Sequence, residues 1–276
     1  MEYVRGALDS GLTSDVAILT ALAHCGWLAT NHLHALCLPG AVVATVRTTL
    51  RYLAEARWIV PIRWRIGVPD GGHAWAITPQ GVALLTRYLP VERPQVINDL
   101  GRPRSAVEQA EWVVQRLVRD LVVRLVHEAR QAAVLAALTP RFAPWPPVWG
   151  GAEAADSVLQ IAWHPPRQQA AQWVPWARLD RDAEFMRYVL LVVRDADPLP
   201  VRQLLTFPMT ATTVPVLIVH DAAERHHVQQ QLQRLEPHGR PRQVRISDRW
   251  TLMAGVSGRW WWDATGQRCT LAEEGS

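Results

Sequence analysis

Apolar residues recur at helical spacing from the start of the chain. Val16, Leu19, Leu22 and Ala23 share one face, with Ser14 as the predicted N-cap and Gly26 as the stop. Thr30 caps a short second helix that turns Leu33 and Leu36 inward, and Pro39-Gly40 makes a turn. A third helix is predicted over 42–56, where Val46, Leu50 and Leu53 at i, i+4 and i+7 form a buried stripe. The period then changes to two. Trp58, Val60, Ile62, Trp64 and Ile66 alternate with Ile59, Arg63 and Arg65, and Pro61 puts this strand at a sheet edge. Pro69-Asp70-Gly71-Gly72 is a turn, 73–77 is the returning strand, and Thr78 caps a fourth helix that opens on Pro79. The order of helix, helix, helix, hairpin and helix predicts a winged helix-turn-helix over 1–90.

Proline and glycine punctuate 91–104, which is read as a linker. An apolar-periodic stretch follows through Val107, Ala110, Val114, Leu117, Leu121 and Leu125. Its β-branched cluster at 122–126 leaves 120–138 open between helix and strand. A Pro/Trp/Gly-rich loop is predicted over 139–151, then strands over 157–163, 173–179 and 214–220. Residues 185–193 begin with helical spacing and end as a β-branched run, and 222–235 is a polar helix. Residues 250–253 and 259–262, around Gly255 and Gly258, suggest a hairpin, and Trp260-Trp261-Trp262 must put one ring on the opposite face. Strands alternating with helices make 105–276 a mixed α/β domain. The chain is therefore expected to be α/β, α+β overall.

Composition narrows the chemistry. With 49% hydrophobic and 20% charged residues, the 276-residue chain can bury sizeable cores. All 29 basic side chains are arginine, which excludes a Schiff-base, Walker or nuclease lysine. Three cysteines argue against a disulfide scaffold. Residues 1–10 hold no signal core, and the apolar runs 188–193 and 214–219 are too short to span a bilayer, so a cytoplasmic protein with no membrane partner is expected.

The charge is concentrated where a groove-binding helix would lie. Between 40 and 87 stand six arginines (47, 51, 57, 63, 65 and 87) and two acids, Glu55 and Asp70. Their difference, +4, equals the formal net charge of the whole chain. With Val46, Leu50 and Leu53 inward, the opposite face of the third helix carries Thr45, Arg47, Thr48, Arg51 and Tyr52. Arg63 and Arg65 sit on the wing. Arginine can hold a guanine edge with two bonds, and threonine can bond a phosphate or touch a thymine methyl. These seven residues are the candidate DNA-binding set.

Ala17-Ile18-Leu19, Thr45-Val46-Arg47 with Leu50 and Leu53, and Ala76-Ile77-Thr78-Pro79-Gln80-Gly81 with Leu84-Leu85 resemble the winged helix of plasmid replication-relaxation family proteins. Val96-Ile97-Asn98-Asp99, the acids Glu128, Asp156 and Asp180, the run 214–219, Glu224-Arg225 and Gly258 with Trp260 continue the similarity. The resemblance implies a DNA-associated role in plasmid or mobile-element replication or transcription control, and a second domain similar to restriction-endonuclease-like folds.

Two competing readings remain. In one, the winged helix is a protein-interaction subunit of a larger complex. In the other, Glu128, Asp156 and Asp180 hold Mg²⁺ in a nuclease. Against the second, Asp180-Arg181-Asp182 lacks the lysine such sites want, and arginine keeps its proton. His24, Cys25, His32, His34 and Cys37 fit no familiar zinc spacing. The expectation is a non-enzymatic double-stranded DNA-binding protein with no catalytic residues, metal or cofactor. It is expected to act as a homodimer through the 105–125 stretch, with the second domain open to a protein partner.

Overall fold

A computed structural model describes residues 13–62, 73–88, 106–132, 135–142, 156–163, 186–193, 212–235, 243–256 and 258–272. The chain is an α/β protein that divides into two compact units, Met1–Arg119 and Asp120–Ser276.

The first unit runs α1 (Thr13–Cys25), β1 (Trp27–Ala29), α2 (Thr30–Cys37), α3 (Val43–Glu55), β2 (Ile59–Ile62), β3 (Ala74–Ile77) and α4 (Pro79–Tyr88). Its antiparallel sheet has the order β1-β3-β2, which is winged-helix topology. β1 was not foreseen. It pairs Trp27 with Ala76 and Ala29 with Ala74, so Thr30 becomes the first residue of α2 instead of its cap. The Thr30 hydroxyl donates to His73 O and accepts from Trp75 Nε1 across the sheet. Gly26, at φ 73°, ends α1 as expected and donates its amide to Leu22 O. β2 is an edge strand, as Pro61 predicted, but the alternation fails. Ile59 and Ile62 are buried while Val60 and Pro61 are exposed.

Two local devices set the path from α3 to α4. Arg57 adopts φ 61°, with its amide on Ala54 O and the Trp58 amide on Leu53 O, closing α3 in a Schellman turn without the usual glycine. Thr78 then caps α4 as predicted. Its hydroxyl accepts from Gly81 N and reaches Arg57 O and Trp58 O. A Cβ at Gly81 would stand 2.2 Å from Trp58 O, so that position of the Thr-Pro-Gln-Gly segment excludes a side chain.

α5 (Ala106–Ala132) is one 27-residue helix. The valines at 122–126 belong to it and not to a strand, because they extend its apolar stripe. Val114, Val118, Leu121, Val122, Leu125 and Val126 are all buried within the chain. Within the 105–125 stretch expected to join two copies, Val114, Leu121 and Leu125 are buried while Val113 is 44% exposed. In the first unit, buried Arg119 donates from Nε to Trp27 O at 2.8 Å, from Nη2 to Cys25 O at 2.7 Å and from Nη1 to Gln115 O at 2.9 Å. Its guanidinium also lies 4.2 Å from the Trp27 ring centre.

The second unit is a seven-stranded sheet of order β10-β9-β8-β7-β6-β5-β4. Its strands are β4 (Leu135–Phe142), β5 (Ser157–Trp163), β6 (Met186–Val192), β7 (Thr213–Val219), β8 (Arg245–Asp248), β9 (Trp261–Trp262) and β10 (Arg268–Cys269). β6, β7 and β8 are parallel and the other neighbours antiparallel. β4 takes the start of the predicted 139–151 loop, and 185–193 resolves as strand. β6 and β7 are buried on both faces, which explains their unbroken apolar runs. α6 (Ala222–Leu235) adds Val228 and Leu232 to that core.

Residues 250–253 form no hairpin. They lie in α7 (Arg249–Ala254), because Asp248 accepts from Thr251 N at 2.8 Å as an N-cap. Trp261 and Trp262 are buried, and half-buried Trp260 packs over Gly255 and Gly258. Arg225 covers the Trp262 ring at 3.6 Å and pairs with Asp248. The expected strand at 173–179 and the turn at 69–72 lie outside the described residues.

Candidate nucleic-acid interface

The α2–α3 turn is fixed by backbone bonds from Leu38 N to His34 O and from Ala41 N to Leu38 O. The His34 ring closes it, with Nε2 2.8 Å from Ala41 O. α3 follows with Val42 at its N-cap and Ala56 at its C-cap, one residue inside each predicted end. Val46, Leu50 and Leu53 each have 0% exposure, so the anchoring stripe is as expected.

The remaining faces of α3 are open. Thr45, Arg47, Thr48, Arg51 and Tyr52 are all exposed. Arg47 and Arg51, one turn apart, make no hydrogen bond or ion pair among the described residues. Tyr52 packs edge-on against Trp58 at 6.2 Å, so its ring is partly committed, while its overall exposure is 55%. Arg63 and Arg65 lie outside the described residues. Sequence reasoning did not single out the start of the helix, where Val42 is 72% and Val43 44% exposed and Ala44 is also open. The signal was the apolar run Ala41-Val42-Val43-Ala44 ahead of the buried stripe. Glu55 also stands exposed at the far end of this face.

The other candidate ligands and acids have the following hydrogen-bond partners. His32 Nδ1 accepts from Ala29 N, and the Cys37 thiol donates to Ala17 O. Cys25 is fully buried, and burial pushes its thiol up to about 12 despite the nearby Arg119 charge. Burial likewise works against the Arg119 charge, lowering it to about 9. Among the described residues no group of three or more His, Cys, Asp or Glu is arranged to hold a metal.

Glu128 is on α5 and not on a strand, where both carboxylate oxygens accept from Val256 N at 2.9 and 3.0 Å. Asp156 is buried before β5 and accepts from Val192 N at 2.7 Å. Asp180 lies outside the described residues. No described helix is long and apolar enough to cross a membrane.

No protein-family model matches the chain, and no curated protein matches it. A solved structure of Bordetella bronchiseptica BpsR, concerned with regulation of its DNA binding by 6-hydroxynicotinic acid, overlaps 41% of this chain and 77% of that chain. The overlap has 19% identity and a TM-score of 0.24. A superposition that loose fixes neither fold nor function.

Proposed function

We propose that the chain binds double-stranded DNA by laying α3 in the major groove, and that it acts in control of replication or transcription on a plasmid or mobile element. One observation carries the first part. The complete burial of Val46, Leu50 and Leu53 turns Arg47 and Arg51 outward, with no group among the described residues to neutralise them. A helix about 10–12 Å across with its side chains fits a groove about 12 Å wide. The two guanidinium groups there meet base edges or phosphates. The second part rests on the resemblance to plasmid replication-relaxation proteins in 16–85.

The second unit is read as a supporting or partner-binding body without catalysis, because its Glu128 and Asp156 carboxylates already accept from backbone amides.

The test is fluorescence anisotropy of the full chain with labelled duplex over about 50–200 mM salt. Each phosphate contact steepens the fall of log affinity with log salt by about 0.9. A steep, linear fall is expected. Absence of duplex binding at the lowest salt, or salt-indifferent binding, would overturn the proposal.

A further inference from the structure

The open face of α3 is not uniformly cationic. Ala44 and Thr48 stand one turn apart on the side opposite Val46, Leu50 and Leu53, and both are exposed. Thr48 spends its hydroxyl hydrogen on Ala44 O at 3.0 Å, so it has no donor left to offer a base edge and presents its methyl beside an accepting oxygen. Arg47 and Arg51 occupy one flank of this methyl strip.

In the major groove only thymine presents a methyl group, and alanine and threonine methyls are the side-chain groups that meet it. The N-terminal part of a recognition helix is also the part that reaches the base edges. Resting on the reading of α3 as the groove helix, we infer that Ala44 and Thr48 receive the 5-methyl of a thymine. That thymine lies beside a guanine held by Arg47 or Arg51. The flanking charges select DNA as the occupant of the strip, because an apolar protein partner would have to bury two unpaired guanidinium groups.

The test begins with a duplex recovered by repeated selection of a random pool on the full chain. Each thymine is then replaced singly by deoxyuridine, which removes only the methyl. One or two positions should lose about fourfold in affinity, the worth of one buried methyl. Thr48→Ser keeps the hydroxyl and deletes the methyl. It should weaken the thymine duplex by up to the same factor and shrink the response to deoxyuridine, the Ala44 methyl remaining. If all replacements are silent, or if Thr48→Ser retains the full response, the inference is overturned while duplex binding stands. If no sequence is enriched and the duplex is not retained, both fall.

Discussion

Replacing Arg47 and Arg51 together by alanine separates recognition from folding. Both side chains are exposed and make no hydrogen bond or ion pair among the described residues, so unfolding stability should change by less than about 0.5 kcal/mol. In the groove, each bidentate pairing to guanine is worth about 1–3 kcal/mol. Two independent losses would total about 2–6 kcal/mol, but residues one turn apart are neighbours and couple. The lower half of that range is therefore expected, roughly 30- to 1,000-fold in affinity. The assay is anisotropy on a selected duplex at several salt concentrations, with a thermal melt of the same protein. Loss of base-edge contacts leaves the salt slope unchanged, whereas loss of phosphate contacts flattens it by about 0.9 for each. Affinity within twofold of the parent, with an unshifted melt, would refute the assignment of α3 as the recognition helix.

The Schellman turn after α3 puts a non-glycine residue at φ 61°. Arg57→Gly should therefore raise the unfolding free energy by about 1 kcal/mol in denaturant titration, and a loss of stability would contradict the turn described. Cys25 supplies a pH test. Its folded thiol holds its proton up to about 12, while the unfolded thiol loses it near the ordinary value of 9.0, so this group's contribution is complete below pH 9 and declines as pH rises toward 12. Alkylation of Cys25 at pH 8 should follow global unfolding, read by mass spectrometry of the Cys25 peptide; rapid labelling of the native protein would contradict its burial.

The sequence disclosed what local physics dictates. The i, i+4, i+7 stripe of α3 needed only the helical period, and the Thr78-Pro79 start of α4 only the chemistry of helix capping. β1 escaped because three residues between two helices carry no period. Its existence depends on pairing with a strand far along the chain, as in Trp27 with Ala76, 49 residues later. The valines at 122–126 have strand propensity, yet tertiary burial held them in a helix. Asp248 shows the converse, a readable cap that was passed over because the tryptophans beyond it suggested a hairpin. In the interface, the cationic set on α3 was legible because it is the complement of the buried stripe. The open valines were not, since an apolar run at a helix start is ordinarily taken as core.

The buried guanidinium of Arg119 also bears on how the winged-helix part can be handled alone. It supplies the donors for Cys25 O at the end of α1 and for Trp27 O in β1. A fragment cut at the proline-rich stretch after α4 would keep every winged-helix element and discard that residue. Two carbonyls in its interior would lose their donor, and the Trp27 indole would lose its cover. The autonomous module therefore ends within α5, and an excised recognition domain should carry that helix through Arg119.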